Sequence, residues 1–405
     1  MARISRRGMI KGIGATSALA IAGCLDAADA DVRLGVIMPT TGDLADLGAP
    51  IRDAALLPVD QLEDEGVDFE FDTRTEDTET DPEAGISAAE ALVDAGYPTI
   101  TGPAASDVTI PVAQDVYLPN EVLGISPSST APVITDIEGR FFLRTCPSDA
   151  LQGVLMAEIA RDQFGADSTS CLSLNDDYGQ GLAEVYMDSF EELGGTVVEN
   201  VPFEPEQPSY NSELGTALEG DPDSLMIVGF PESGEQIFRD YYADFDLGIP
   251  ILVPDGLIDD DLPANVDNPM SDVTGTNPAA VGPGRDTFAD LFDDVYGHGV
   301  GPFTANAYDA SALHILATLR AGELDGPAIA DEVRAVAQDG GELVGPDNLD
   351  EAVEMAANGE DIEYEGASGI IQFDDNGDTI ATSYDIVEFS MDGTTVVDTI
   401  DLEAD

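Results

Sequence analysis

The sequence predicts an α/β protein made of two doubly wound parallel-sheet lobes, and three observations lead there. Short apolar runs of strand length alternate with helical stretches through residues 32–253. The alternation pauses after Ile125 and restarts at Ser148, giving two similar halves. A mainly helical segment from Asp286, followed by strand-like stretches, closes the chain and can serve both halves. Strands separated by helices pair in parallel through right-handed crossovers. A chain of 405 residues, 43% of them hydrophobic, is more than one core usually organises. Two lobes sharing one tail imply a hinged cleft.

The elements follow in order. Residues 32–38 are a compact apolar run ended by Pro39, and 49–62 have helical spacing, with Pro58 as a kink or as the true start. Val67, Phe69 and Phe71 alternate as a strand does. Asp81-Pro82-Glu83 supplies an N-cap, a first-turn proline and an early acid for a helix through Val93. Residues 99–101 and 122–125 are short strands. The second half brings a helix at 148–163, a strand at 170–174 and a helix at 179–193. Val197 and Val198 then lie in a strand, 210–218 in a helix, 225–228 in a strand, 233–245 in a helix and 251–253 in a strand. Helices at 306–319, 327–337 and 349–357 and strands at 369–373, 384–389 and 395–400 complete the pattern.

Ahead of all this, Arg6-Arg7, Lys11, a small-residue apolar run at 12–23 and Cys24 have the order of a twin-arginine export signal with a lipobox. The run is shorter than the about 20 residues that a bilayer crossing needs. Residues 1–23 are therefore expected to be removed on export and Cys24 to become a lipidated N-terminus. Residues 24–31 would then tether the protein at the cell surface, the lipid being its only membrane attachment.

Against 82 acidic residues stand 14 basic ones, a net charge of −68. Four of the fourteen precede residue 12, leaving ten, all Arg. Such charge drives a compact state apart at low salt. At roughly molar salt the Debye length is about 3 Å and the repulsion is screened. The acid excess therefore reads as adaptation to brine, and it argues against nucleic acid as a partner. The hydrophobic content argues against disorder. The spacing of Cys146 and Cys171 demands no bridge, so two buried thiols are expected, with one disulfide as the alternative.

Parallel sheets bind ligands beyond the carboxyl ends of their strands, so the loops there carry the functional expectations. Residues 102–107 (GPAASD) offer the Ser106 hydroxyl and free N–H groups at a positive helix end. Residues 126–132 (SPSSTAP) carry four hydroxyls in a proline-bracketed turn. Hydroxyls and amides without fixed charge suit a carboxylate, although ordinary caps and turns use the same residues. Residues 175–181 (NDDYGQG) set Tyr178 at a lobe edge. Phe230-Pro231-Glu232 and Val253-Pro254-Asp255-Gly256 close two further strands. Asp255 can accept an ammonium group once closure excludes water; a turn before Gly256 is its plainer use.

Taken in order, 35–48 (GVIMPTTGDLADLG), 76–82 (EDTETDP), 125–132 (ISPSSTAP), Tyr178-Gly179, Asp255-Gly256, Tyr308-Asp309-Ala310 and 373–378 (FDDNGD) resemble branched-chain amino-acid (Leu/Ile/Val-type) periplasmic binding proteins. The resemblance covers essentially the whole chain after the signal. It implies two doubly wound lobes joined by three hinge crossovers, lobe 1 being 32–145 plus 276–383 and lobe 2 being 146–275 plus 384–405. It also implies capture of a small amino acid and its delivery to the permease and ATPase of an ABC importer. Carried over to this chain, Ser106, Ser128 and Thr130 hold the α-carboxylate and Asp255 takes the α-ammonium. Phe230 stands where an aromatic group aids the ammonium contact, Tyr178 keeps its place at the lobe edge, and Leu47 falls where the family places a side-chain pocket residue. The chain departs from the family in lacking an early Cys pair, in Phe230 where a Tyr would supply a hydroxyl, and in Leu47 where some relatives carry an aromatic ring. Related proteins bind amides, urea or aromatic acids on the same fold, so analogy does not name the solute.

An enzyme needs a nucleophile and base, or metal ligands. His298 and His314 adjoin no such motif, and both are expected to be structural or surface residues. Asp374-Asp375-Asn376-Gly377-Asp378 has its glycine misplaced for a calcium loop and no closing acid, so a hairpin turn is expected. The expectation is a monomeric binding protein without cofactor or metal. A sensory module reporting its ligand to a membrane partner would use the same cleft.

Overall fold

A computed structural model describes residues 31–403 apart from Asp246, His298 and Asp339. The expected export signal, Cys24, nearly all of the tether, and His298 lie outside the described residues.

The first lobe is built on β1 (Val32–Met38), β2 (Phe71–Asp77), β3 (Thr99–Thr101), β4 (Leu123–Ser126) and β5 (Phe142–Arg144). All pair in parallel, in the order β2-β1-β3-β4-β5. β1 is buried along almost its whole length, as a parallel strand covered on both faces requires, whereas the edge strand β2 is polar and partly exposed. The second lobe carries β6 (Ser168–Leu174), β7 (Thr196–Phe203), β8 (Ser224–Val228), β9 (Ile251–Val253) and β10 (Val273–Pro278). β11 (Glu342–Val344) and β12 (Ile362–Tyr364) form a separate small parallel pair. β13 (Ala381–Ser390) and β14 (Gly393–Glu403) then complete the second sheet, in the order β14-β13-β10-β9-β8-β6-β7. β13 runs antiparallel to β10, and β14 antiparallel to β13.

The chain passes between the lobes three times: after β5, after β10 and before β13. β10 extends to Pro278 and β13 starts at Ala381, so the second sheet claims residues 276–278 and 381–383, which the sequence placed in lobe 1. β10 (VTGTNP) has no apolar run to announce it, although it lies between β9 and β13. Three other expectations change. The strand expected around Val67 and Phe69 begins only at Phe71. Residues 369–373 form no strand and make only isolated bridges, Glu365 with Ile370 and Phe373 with Thr379. The first helix starts at Ala45 and runs to Glu65 through both Pro50 and Pro58. An internal proline costs a helix about 3 kcal/mol. Here Ile51, Ala54, Ala55, Leu57 and Pro58 are all buried, and that packing outweighs the local penalty.

The crossings are fixed by one arginine. Arg144 is fully buried at the end of β5 and grips both Asp378 carboxylate oxygens at 2.6 and 2.9 Å. It also donates to the Ser129 and Ala131 carbonyls, each at 3.1 Å, and to Thr135 Oγ1 at 3.0 Å. Asp378 ends the expected hairpin turn, in which the Asp374 N–H donates to the Asp378 carbonyl at 2.9 Å. The first and third crossings are thereby tied together. Behind the first sheet, the helix Thr304–Ala321 is buried on every side through Leu319. Its His314 Nε2 lies 3.2 Å from the Ile100 carbonyl, and burial pushes the imidazole down to about 3, so it stays neutral and structural. Cys146 and Cys171 are buried free thiols, pushed upward by burial.

Candidate functional site

The strand ends of the two sheets face one cavity, and each wall has its own chemistry. On the first lobe, Gly102 ends the turn out of β3 with φ +110°, and a Cβ there would stand 2.1 Å from the Ile37 carbonyl oxygen. Only glycine lets this loop pass so close to β1. The loop delivers Ser106 to the start of the helix Ser106–Val112, and Ser106 Oγ accepts from the Ala131 N–H at 3.2 Å. Ser128 Oγ donates to the Ala104 carbonyl at 3.2 Å. The Ser126 and Ser129 hydroxyls knit the two loops together: Ser126 Oγ donates to the Pro103 carbonyl at 2.7 Å and Ser129 Oγ to Ala104 at 3.0 Å. This wall presents hydroxyls and helix-end amides and no charge.

On the second lobe, Tyr178 and Phe230 stack in parallel, ring centres 5.5 Å apart and planes 1° apart. Tyr178 Oη lies 3.4 Å from Asp255 Oδ2 and accepts from the Gly256 N–H at 3.3 Å. A Cβ on Gly256 would stand 2.8 Å from that phenol oxygen, so glycine is what admits the ring. Asp255 is 3% exposed, and its Oδ1 has no hydrogen-bond partner. Burial pushes its carboxyl up to about 6, against the opposing pull of the Gln152 amide, backbone N–H groups and Tyr178. Asp149 behind it is fully buried and pushed well above the carboxylate range, first by burial and then by the charge of Asp255. Its Oδ1 is also unpaired. One buried acid, Asp255, therefore faces a wall of neutral donors across the cavity, which suits a molecule that is cationic at one end and anionic at the other.

Six of the seven residues named from the sequence, Leu47, Ser106, Ser128, Tyr178, Phe230 and Asp255, line this one cavity. Thr130 does not: it is buried, and its hydroxyl donates to Asp149 Oδ2 at 3.0 Å. The space among the lining atoms is about 320 Å³. Leu44, Ile51 and Phe303 also line it and were not foreseen. Leu44 and Ile51 share a helical stripe with Leu47, a signal the sequence carries. Phe303 stands before the helix Thr304–Ala321 at φ +60°, and nothing in its Gly-rich neighbourhood marks it.

Two parallel-sheet lobes, three crossings and a buried cleft at the strand ends define a two-lobed solute-binding protein. The chain belongs to the periplasmic binding protein family, whose model matches residues 31–394, and within it to the type I, branched-chain amino-acid transporter kind. It is 29% identical to the chemotactic signal transduction system substrate-binding protein BasB of Halobacterium salinarum over 302 residues, 73% of this chain and 71% of that one. It is similar to the crystal structure of the leucine-binding protein LivK from Thermotoga maritima, at 26% identity and a TM-score of 0.75, covering 91% of this chain and 98% of that one. A solute-binding protein of an ABC transporter from R. palustris, in complex with benzoate, shares the fold at 15% identity and a TM-score of 0.75, over 92% and 98% of the two chains.

Proposed function

We propose that the protein is an extracytoplasmic lipoprotein that traps a small aliphatic amino acid between its lobes and delivers it to an ABC importer. The observation that carries this reading is the unpaired, buried carboxylate oxygen of Asp255, set across the cavity from the hydroxyls and amides around Ser106 and Ser128. In this reading Ser106, Ser128 and the backbone beside Thr130 take the α-carboxylate, and Asp255 takes the α-ammonium. Asp149, which burial keeps protonated, leaves Asp255 as the acid that meets the ammonium. Tyr178 and Phe230 cover the ligand, while Leu44, Leu47, Ile51 and Phe303 form an apolar pocket that fits an aliphatic side chain. An aromatic acid such as benzoate would leave Asp255 uncompensated in a dry site, at a cost of several kcal/mol.

Cys24 is the proposed lipid attachment and the export signal its route to the cell surface. The permease and ATPase of the importer are the proposed partners, and the trapping unit is a monomer. The acid excess fits work in brine, where an exposed ion pair is screened and a closed cleft preserves one. Sensing is the second reading, favoured by the similarity to a chemotactic substrate-binding protein. Thermal-shift measurements in multimolar KCl, over amino acids, amides and urea, test the solute class. The reading fails if no amino acid shifts the transition.

A further inference from the structure

Asp43 leaves the first lobe in the loop after β1, is 4% exposed, and reaches a helix of the other lobe. Its Oδ1 accepts twice from Ser233, from the backbone N–H at 2.9 Å and from the hydroxyl at 2.7 Å, across 190 residues of sequence. Ser233 is the third residue of the helix Pro231–Asp244, whose N-cap is Phe230 and whose own cap makes no side-chain hydrogen bond. Phenylalanine cannot accept, so the free N–H groups of this helix need an acceptor from elsewhere. The Ser233 hydroxyl is also aimed. Its oxygen lies 3.2 Å from the Glu206 N–H, which donates to it, and 3.2 Å from Tyr210 Oη. With its lone pairs engaged, its one proton is left for Asp43. The helix so capped is the one that presents Phe230 to the cavity, and no crossing segment takes part. Pro132 and Gly181 also approach across the lobes, through carbon atoms, while Thr130 and Asp149 hydrogen-bond beside the first crossing.

We propose that Asp43 is a latch that caps the Phe230 helix in trans only when the lobes close, and so sets how long a solute stays trapped without touching it. The inference rests on the reading of the cavity as a solute trap. When the lobes part, water replaces Asp43 at the Ser233 N–H, and the carboxylate returns to solvent, away from the burial and the charges of Glu232 and Glu206 that push it up in the closed form. Closure therefore exchanges hydration of one acid for two directed hydrogen bonds, at a site remote from whatever distinguishes one solute from another.

The test compares wild type, Asp43→Ala, Asp43→Asn and Ser233→Ala in multimolar KCl. The first readout is the dissociation rate of L-leucine, or of whichever panel amino acid binds wild type best. Loss of hydrogen bonds to a carboxylate predicts release about tenfold faster in Asp43→Ala, with the order of preference among solutes unchanged. Asp43→Asn keeps an acceptor in place and restores the rate to within about threefold. The second readout needs no solute: the distance between spin labels on Glu90→Cys and Glu191→Cys, one per lobe, both exposed, in a Cys24→Ser background, the thiols of Cys146 and Cys171 being buried. The closed fraction falls in Asp43→Ala and recovers in Asp43→Asn. A cap serving the fold alone would lower the melting temperature of Asp43→Ala and leave release and closure at wild-type values, which overturns the latch. If no amino acid binds wild type, the amino-acid reading fails by itself and the label distances still decide the latch.

Discussion

Replacing Asp255 by Asn is the sharpest perturbation of the cleft, because it removes a charge and little else. The side chain keeps its size, and an amide oxygen can still face Tyr178 Oη, which stands 3.4 Å from Oδ2. What disappears is the unpaired anionic oxygen in a site where Asp255 is only 3% exposed. A buried charge pair broken by removing one partner loses about 3–5 kcal/mol. Taking about 3 kcal/mol as the net loss, amino-acid affinity falls by about two orders of magnitude. Isothermal titration calorimetry in multimolar KCl measures it, with circular dichroism confirming that the fold is intact. An affinity within about threefold of wild type would refute the assignment of Asp255 to the ammonium group.

Stability should carry the signature of buried acids. Burial holds Asp43, Asp107, Asp255 and Asp259 at about 6 and Asp176 at about 7, all above the ordinary 3.8. The folded state therefore keeps protons that the unfolded chain has released, so stability falls as pH rises from about 4 to about 7, and Asp149, pushed well above the carboxylate range by burial, carries the decline further. Asp223, held low by the Ser168 hydroxyl, acts in the opposite sense and only below that window. Melting temperatures at constant salt check this, and a rise with pH across that range contradicts it. Arg144→Met leaves Asp378 without its buried partner and should cost about 3–5 kcal/mol in denaturant unfolding; a loss under about 1 kcal/mol would mean that the crossings do not depend on this pair.

Much of this architecture is legible in the sequence because its strands are buried on both faces. A run such as Val32–Met38 has no polar residue except Arg33, and its helices carry conventional starts, as at Asp81, whose carboxylate accepts from the Ala84 N–H at 2.9 Å. β10 was illegible for the opposite reason: glycine, asparagine and proline fill a strand whose place is held by its neighbours. β5 is three residues long and gives no period to read. At the cavity, Ser106, Ser128 and Asp255 reach the lining because each follows a strand end. Thr130 follows the same rule, but its hydroxyl is turned to Asp149, and sequence cannot show which way a hydroxyl points. Asp149 itself is invisible as a site residue, since its influence comes from a fold that buries it beside Asp255.

The central claim is that the cleft is built for a zwitterion, and one calorimetric comparison tests it most directly: L-leucine against its des-amino analogue, 4-methylpentanoate, with wild-type protein in multimolar KCl. The two share the carboxylate and the aliphatic chain and differ in the ammonium group alone. Leucine binding with the analogue weaker by about a hundredfold or more is the expected result. Equal binding of the two, or binding of the analogue alone, would contradict it.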